Sequence, residues 1–211
     1  MGNLSINSYN IFQAVSSGVN VYDNSGVYAG LVDLPNTSSV WADDTYLYIG
    51  TTNSGIYVAL ASGILSNPLI QYKYDSDITN NDVIYMHGAG EYLCATTISG
   101  VDQYNVVSGT RIYTMVSGTN KCYQTSTGEF YYSLNNELMA VYSIMSNWSE
   151  PDYIYDTLPF VTEINDIYVT EGTSLYGGDN VIFLGTDYGV HVIEERKGNE
   201  SSSRTKRFYL K

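Results

Sequence analysis

One pattern occurs five times along the chain: an apolar run, a short turn rich in hydroxyl and amide groups, usually a glycine, and a second apolar run. The turn glycines are Gly18, Gly55, Gly100 and Gly189, and Glu137 takes that position in the fourth copy. The copies read NIFQAVSSGVNVY, YLYIGTTNSGIYV, EYLCATTISGVDQY, EFYYSLNNELMAVY and NVIFLGTDYGVHVI. Their mean period is about 43 residues, a length at which one repeat cannot bury its own apolar face.

This period, with short strands, predicts an all-β fold, specifically a five-bladed β-propeller of four-stranded antiparallel blades. We expect a single domain over residues 1–211, with blades at about 1–35, 36–78, 79–118, 119–160 and 161–211. The strands of each blade are named A to D from the axis outwards, and a B–C turn joins the second to the third. In the second repeat the predicted strands are Ser39–Ala42, Tyr46–Thr51, Gly55–Leu60 and Leu69–Tyr74.

The B strands are nearly continuous apolar runs, such as VIFL at 181–184. Such a run is typical of a strand that is buried on both faces, here between neighbouring blades. The glycine that begins each C strand is expected at a hairpin position with a positive φ.

The phrases YLYIGTTNSGIYV and VIFLGTDYGVHVI resemble the two-component-regulator type of propeller repeat, whose core reads G-T-x-x-G-[LI]-x-x-[YF]. The resemblance extends over most of the chain as a repeat pattern, and it implies a fold. It implies no activity, because propellers serve as lectins, hydrolases, sensors, scaffolds and virion parts.

The net charge is −13, and the basic residues are concentrated at the C-terminus. Residues 196–211 contain six basic residues and one acidic residue, so the rest of the chain is strongly acidic. An acidic surface repels nucleic acid and anionic membrane, and no apolar run approaches the ~18 residues needed to span a bilayer. We therefore expect no nucleic-acid partner and no membrane insertion. Arg204, Lys206 and Arg207 form a candidate docking segment; the favoured alternative makes them part of the last strand.

The sequence predicts no enzyme, cofactor or metal site. The acidic residues near predicted strand ends are Asp43, Asp44, Asp82, Glu91, Asp166 and Asp187. A carboxylate pair among them could serve glycoside cleavage, but we interpret them as solvated turn residues. His87 and His191 lie in different repeats, and no common catalytic motif is present. Cys94 and Cys122 are expected to be buried free thiols, although a disulfide between neighbouring blades stays open.

The B–C turns would form a ring on one face of a propeller, and they are the predicted contact face. Their polar residues are Ser16, Ser17, Thr51, Thr52, Asn53, Thr96, Thr97, Ser99, Asn135, Asn136, Thr186 and Asp187. With Trp41, Trp148 and Tyr188 nearby in sequence, they could bind a cell-surface glycan. The alternative is ordinary hairpin-turn chemistry, which predicts the same residue types.

A structural or docking role is the favoured functional hypothesis. The composition is rich in Tyr, Asn, Ser, Thr and Gly and poor in Lys and Cys, as in proteins that work outside cells, yet the start MGNLSINSYN predicts no secretory signal. Parts of tailed-phage virions combine these two traits, and the chain is similar in kind to propellers of such particles. We expect a virion or extracellular location without a cleaved signal, or otherwise a cytoplasmic one, with other protein subunits as partners.

Overall fold

The computed structural model describes residues 3–66, 70–74, 81–116, 119–134, 137–141, 153–155, 161–172, 180–197 and 204–210. Within these ranges the chain forms twenty β-strands and no helix, so the prediction of an all-β fold is confirmed. Accordingly, the described part of the chain contains no helix with the length and apolar character to cross a membrane.

The strands form five sheets of four, each antiparallel and arranged in chain order. The first sheet contains β1 (Leu4–Ile6), β2 (Asn10–Val15), β3 (Gly18–Asp23) and β4 (Tyr28–Asp33). The second contains β5 (Thr37–Ala42), β6 (Tyr46–Thr51), β7 (Gly55–Leu60) and β8 (Ile70–Tyr74). The third contains β9 (Val83–Ala89), β10 (Tyr92–Thr97), β11 (Gly100–Asn105) and β12 (Thr110–Val116). The fourth contains β13 (Thr119–Gln124), β14 (Phe130–Leu134), β15 (Glu137–Val141) and β16 (Tyr153–Tyr155). The fifth contains β17 (Ile164–Thr170), β18 (Val181–Thr186), β19 (Gly189–Lys197) and β20 (Arg204–Leu210).

The glycines of the B–C turns meet the conformational expectation at three positions. Gly18, Gly55 and Gly189 have φ values of 148°, 76° and 112°, in a region that side chains rarely tolerate. Gly100 does not have a positive φ, so the expectation is wrong there. In its turn the Thr97 hydroxyl donates to the Gly100 carbonyl and accepts from the Ser99 amide.

The sheets stack face to face in chain order, and an apolar cluster fills each of the four interfaces. Phe12, Val19 and Val21 of the first sheet pack with Leu47 and Ile49 of the second. Among the described residues, no contact of similar extent joins the fifth sheet to the first.

Burial of the B strands follows from this stacking. In β6, β10 and β14 nearly every residue is buried, as predicted for strands covered on both faces. In β2 and β18 burial alternates, so the prediction of two-sided burial is wrong for 181–184. The physical reason is position: among the described residues, the first and fifth sheets each have a neighbouring sheet on one face alone.

Carboxylates in exposed turns bind Ser or Thr through both the backbone amide and the hydroxyl. Asp44 accepts the Ser8 amide and hydroxyl, each at 2.8 Å, and so links the first two sheets. Glu171 accepts the same two groups of Ser126, which links the fourth and fifth. Asp187 accepts the Thr162 amide at 3.2 Å and its hydroxyl at 2.6 Å.

These hydrogen bonds make stability sensitive to acid. The Ser8 amide and hydroxyl lower the pKa of Asp44, and Thr162, chiefly through its hydroxyl, lowers that of Asp187. A carboxylate whose pKa is lower in the folded than in the unfolded state stabilises the fold at pH values above its unfolded-state pKa. That contribution is lost as the pH falls through its folded-state pKa. We expect urea-unfolding stability to decline below the ordinary aspartate value of 3.8. The decline should be shallower in Ser8→Ala; equal slopes in the two proteins would contradict this origin.

Candidate functional site

A concave surface lies at the end of the sheets where the B–C turns are found. It is a groove of about 800 Å³ between the first three sheets. Its apolar wall is formed by Val15, Ile84 and Ile98, and Ile98 is exposed. Polar side chains border it: Gln13, Ser16, Thr37, Ser38, Thr52 and Asp82. The A strands begin and the B strands end at this groove, which places residues distant in sequence side by side.

A second cavity of about 350 Å³ lies where the innermost strands of all five sheets converge. Its lining comes from β1, β5, β9, β13 and β17 and the residue before β1: Asn3, Leu4, Ser38, Ile84, Tyr85, Lys121, Asn165 and Asp166. We call it the axial cavity. Ser38 and Ile84 line both the groove and the axial cavity, so the two are adjacent.

Lys121 brings a positive charge to the axial cavity. Its ammonium lies 4.2 Å from the centre of the Tyr85 ring, within the range of a cation–π interaction. Burial raises the pKa of Tyr85 far above its usual range, and the nearby charge of Asp166 adds to this effect. The phenol therefore stays protonated at any physiological pH and acts as a neutral polar surface.

Several predicted contact residues hold the turns themselves. The hydroxyls of Thr51, Thr97 and Thr186 each donate to the carbonyl of the glycine across the turn. Each also accepts a backbone amide within that turn, from Ser54, Ser99 and Tyr188. Thr96 is fully buried, and Ser99 is half-buried. This arrangement is the hairpin chemistry that the sequence left as an alternative.

The other predicted contact residues are divided between solvent and the groove. Ser16, Ser17, Thr52, Asn53 and Asp187 are exposed, and Ser16 and Thr52 line the groove. Asn135 and Asn136 lie outside the described residues. The structure thus brings two of the twelve to the concave surface. The turn as a contact face stays a prediction.

The aromatic residues suggested as a sugar platform differ in position. Trp41 packs against Tyr48, with ring centres 5.1 Å apart, and its six-membered ring lies against Gly88 of the third sheet. Tyr188 is exposed in the last B–C turn. Trp148 lies outside the described residues. Trp41 therefore serves the packing of two sheets, and Tyr188 is available to a ligand.

The acidic residues considered for catalysis are distributed over different parts of the molecule. Asp43 accepts the backbone amides of Thr45 and Tyr46 and closes its own turn. Asp44 and Glu91 belong to A–B turns, whereas Asp82 and Asp187 lie at the B–C turn end. Asp166 is at the axial cavity.

His191 and the two cysteines are buried, and His87 is half-buried. His87 stacks on Tyr123 at 3.9 Å and accepts the Gln124 amide at Nδ1, and burial lowers its pKa to about 4. His191 is buried in the fifth sheet. Cys94 and Cys122 are free and buried, as expected, and their thiols contact one another between the third and fourth sheets. Over the described ranges, no group of three or more His, Cys, Asp or Glu residues is placed to hold a metal ion.

The basic C-terminal residues lie in a strand. Arg204, Lys206 and Arg207 belong to β20, the outermost strand of the fifth sheet. Arg207 is opposite Glu194 and Lys206 is opposite Glu195 in the register with β19. The favoured interpretation of this segment as the final strand is confirmed, and its role in docking stays a prediction.

Sequence reasoning missed Ile84, Ile98, Tyr85 and Lys121. Each had an ordinary interpretation as a strand or turn residue. They form a site only because the sheets stack, and no local pattern in the sequence indicates which residues meet across sheets.

No protein-family model matches the sequence, and no curated protein matches it. Solved structures do match in fold. The WD40 β-propeller domain of Doa1 is 13% identical with a TM-score of 0.66, over 94% of this chain and 64% of that one. A form of KlHsv2 with loop 6CD replaced by a Gly-Ser linker is 9% identical with a TM-score of 0.65, over 99% of this chain and 70% of that one. The extracellular domain of BT4673 from B. thetaiotaomicron is 12% identical with a TM-score of 0.64, over 94% of this chain and 27% of that one.

These comparisons establish a fold. The chain is similar to β-propeller domains along nearly its whole length, and it spans 27% of the BT4673 domain, 64% of the Doa1 domain and 70% of the KlHsv2 form. Five antiparallel four-stranded sheets stacked in sequence are consistent with such a fold.

Proposed function

We propose that this protein is a non-enzymatic docking propeller of five blades, which binds a neighbouring protein subunit in a larger assembly. The observation that carries the proposal is the groove at the B–C turns. Its volume and its apolar wall of Val15, Ile84 and Ile98 suit an extended peptide segment with an apolar anchor.

The charge of the chain specifies the partner further. The net charge is −13, and most basic residues belong to the last sixteen positions. An acidic body attracts basic partners and repels acidic ones. The partner segment that we propose therefore has one or two apolar side chains flanked by Lys or Arg.

The arrangement of the sheets supports the five-bladed description. The innermost strand of every sheet lines the axial cavity, as expected when blades surround a common axis. We assign the assembly to a virion, of the tailed-phage kind, on the grounds of composition. The location would then be the virion or the cell exterior, and otherwise the cytoplasm.

A carbohydrate-binding role is the second candidate, and one observation favours it. Tyr188 is exposed beside Asp187 in the last B–C turn. A sugar ring could therefore stack on the Tyr188 phenol and donate a hydroxyl hydrogen bond to the Asp187 carboxylate. Trp41 offers no comparable surface, because its indole packs between the second and third sheets.

Peptide display separates the candidates. A random-peptide library selected on the immobilised protein should enrich sequences with an apolar anchor flanked by basic residues. Ile98→Asp places a charge in the groove wall and should weaken binding of a selected peptide at least about tenfold. Val107→Asp is the matched control, because Val107 is exposed in the turn between β11 and β12, at the other end of these strands. Binding should survive it.

A glycan array on the same protein completes the test. The docking proposal predicts no bound glycan. Reproducible glycan binding that Tyr188→Ala abolishes and Ile98→Asp leaves intact would establish the second candidate in its place.

A further inference from the structure

One face of the first sheet is apolar and uncovered. Cross-strand partners lie on the same face of a sheet, and the register gives two rows across all four strands. One row runs Leu4, Gln13, Asn20, Leu31, and the other runs Ile6, Ile11, Tyr22, Tyr28. Leu4, Ile6, Tyr28 and Leu31 are all exposed. We call this surface the leading face.

The interior of the leading face is ordered by its own contacts. Gln13 accepts hydrogen bonds from Asn20 at 3.2 Å and from the Tyr22 hydroxyl at 2.9 Å. The Tyr22 and Tyr28 rings meet edge to face, with centres 5.6 Å apart. The side chains are therefore held in place in a flat array, which lowers the entropic cost of covering them.

One face of the fifth sheet is uncovered in the same way. Its central row runs Tyr168, Phe183, Val192, and Val190 lies opposite Gly185 beside it. Tyr168 and Val190 are exposed, while Phe183 and Val192 are half-buried. The opposite face, with Ile167, Ile182 and Leu184, is buried against the fourth sheet. We call the uncovered surface the trailing face.

Both faces are the counterparts of surfaces that are buried inside the molecule. Aligning the repeats on their turns places Leu4 at the position of Val40, and the exposed fractions of these side chains are 60% and 1%. The same alignment places Val190 at Ile56, with 49% and 0%. Val40 packs against the preceding sheet and Ile56 against the following one. In the described part of the chain, no sheet packs on the leading face of the first sheet or on the trailing face of the fifth.

We infer that a second copy of this chain covers these faces, with the trailing face of one copy against the leading face of the next. The contact is of the same apolar sheet-on-sheet kind as the four interfaces that join neighbouring sheets within the chain. Such a head-to-tail contact is heterologous, so it generates either a closed ring of copies or an extended row.

Charge favours this pairing over two like faces. The four strands of the fifth sheet contain five basic and three acidic residues. The first sheet contains Asp23 and Asp33 and no Lys or Arg. Trailing against leading therefore pairs a sheet of net positive charge with an acidic sheet, whereas leading against leading would bring two acidic sheets together.

Sedimentation velocity with single-face variants tests the pairing. The unmodified protein should form dimers or larger species. Leu31→Glu on the leading face and Val190→Glu on the trailing face should each weaken self-association by about a hundredfold or more, because each buries an unpaired carboxylate. Val107→Glu, at an exposed apolar position away from both faces, should assemble like the unmodified protein. Circular dichroism confirms that each variant is folded.

Mixing the two variants gives the sharper result. Each variant alone has one damaged and one intact face and cannot pair. In the mixture, the intact trailing face of the Leu31→Glu protein meets the intact leading face of the Val190→Glu protein, so a one-to-one dimer should form. An unmodified protein that stays monomeric, variants that assemble normally, or a mixture that stays monomeric would each overturn the inference.

The pairing and the peptide groove can be tested separately, because Ile98 lines the groove and Leu31 and Val190 do not. Ile98→Asp should weaken peptide binding at least about tenfold and leave sedimentation unchanged. Leu31→Glu and Val190→Glu should weaken self-association and leave peptide binding unchanged.

Discussion

Replacing Gly18 by alanine is expected to lower the free energy of unfolding by about 3 kcal/mol or more. A Cβ at this position would lie 2.0 Å from the carbonyl oxygen of Val32 and 2.9 Å from the amide nitrogen of Leu34. Both are backbone atoms, so no side-chain rotation relieves the overlap. The φ of 148° adds further cost for any residue with a side chain. Strands β3 and β4 would have to separate, which disrupts the first sheet.

Gly26→Ala is the matched control for this effect. Gly26 also has a positive φ, of 84°, but no atom lies within 4 Å of the point that an alanine Cβ would occupy there. Its substitution should cost about 1 kcal/mol from backbone strain alone. Urea unfolding of the two variants separates the cost of steric overlap from the cost of backbone strain. Equal losses would show that the contact between Gly18 and β4 is not as close as described.

Phe12→Ala is expected to cost about 3–5 kcal/mol, the usual range for removing a large aromatic side chain from a core. Phe12 is fully buried between the first two sheets, where it packs with Val21, Leu47 and Ile49. Neither sheet can bury its apolar face alone, so damage to the interface destabilises both. Thermal unfolding should show one cooperative transition at a lower temperature.

Two further substitutions serve as controls for the effect of Phe12→Ala. Phe12→Leu keeps most of the buried volume and should cost less than about 1.5–2 kcal/mol. Val27→Ala removes an exposed side chain of the same sheet and should change stability by no more than about 0.5 kcal/mol. A Phe12→Ala protein as stable as Val27→Ala would mean that the first two sheets do not share a core.

Much of the fold follows from local sequence. In the second repeat the predicted strand 46–51 coincides with β6, and 55–60 with β7. The other two predicted strands differ from β5 and β8 by one or two residues. Apolar runs and turn residues encode hairpins directly, since neighbouring strands are joined by the turns that the sequence shows.

The burial of β18 could not be predicted in this way. Its sequence VIFLGT is as apolar as YLYIGT of β6, yet β6 is covered on two faces and β18 on one. The difference depends on whether another sheet packs on the second face, and the sequence of the strand itself does not indicate this. An apolar residue that faces solvent, such as Val190, becomes informative only beside its buried counterpart Ile56.

The candidate site could be predicted only in part, because it also depends on how the sheets pack together. The structure brings Ser16 and Thr52 of the B–C turns to the groove, and the ring of turns as a contact face stays a prediction. The hydroxyls of Thr51, Thr97 and Thr186 are used within their own turns, where the sequence offers the same residue types for binding and for turn formation. Ile84 and Ile98 gain their role from tertiary packing alone.

An experimental structure of the purified protein tests the central claim most directly, namely that five four-stranded sheets stack face to face around one axial cavity. We predict that Ser38, Tyr85, Lys121 and Asp166, from four different sheets, line a common cavity with Leu4. We also predict that the uncovered face bearing Leu31 meets the face bearing Val190 of another copy. Sheets that join edge to edge into a continuous sheet or closed barrel, or inner strands that share no cavity, would contradict the claim.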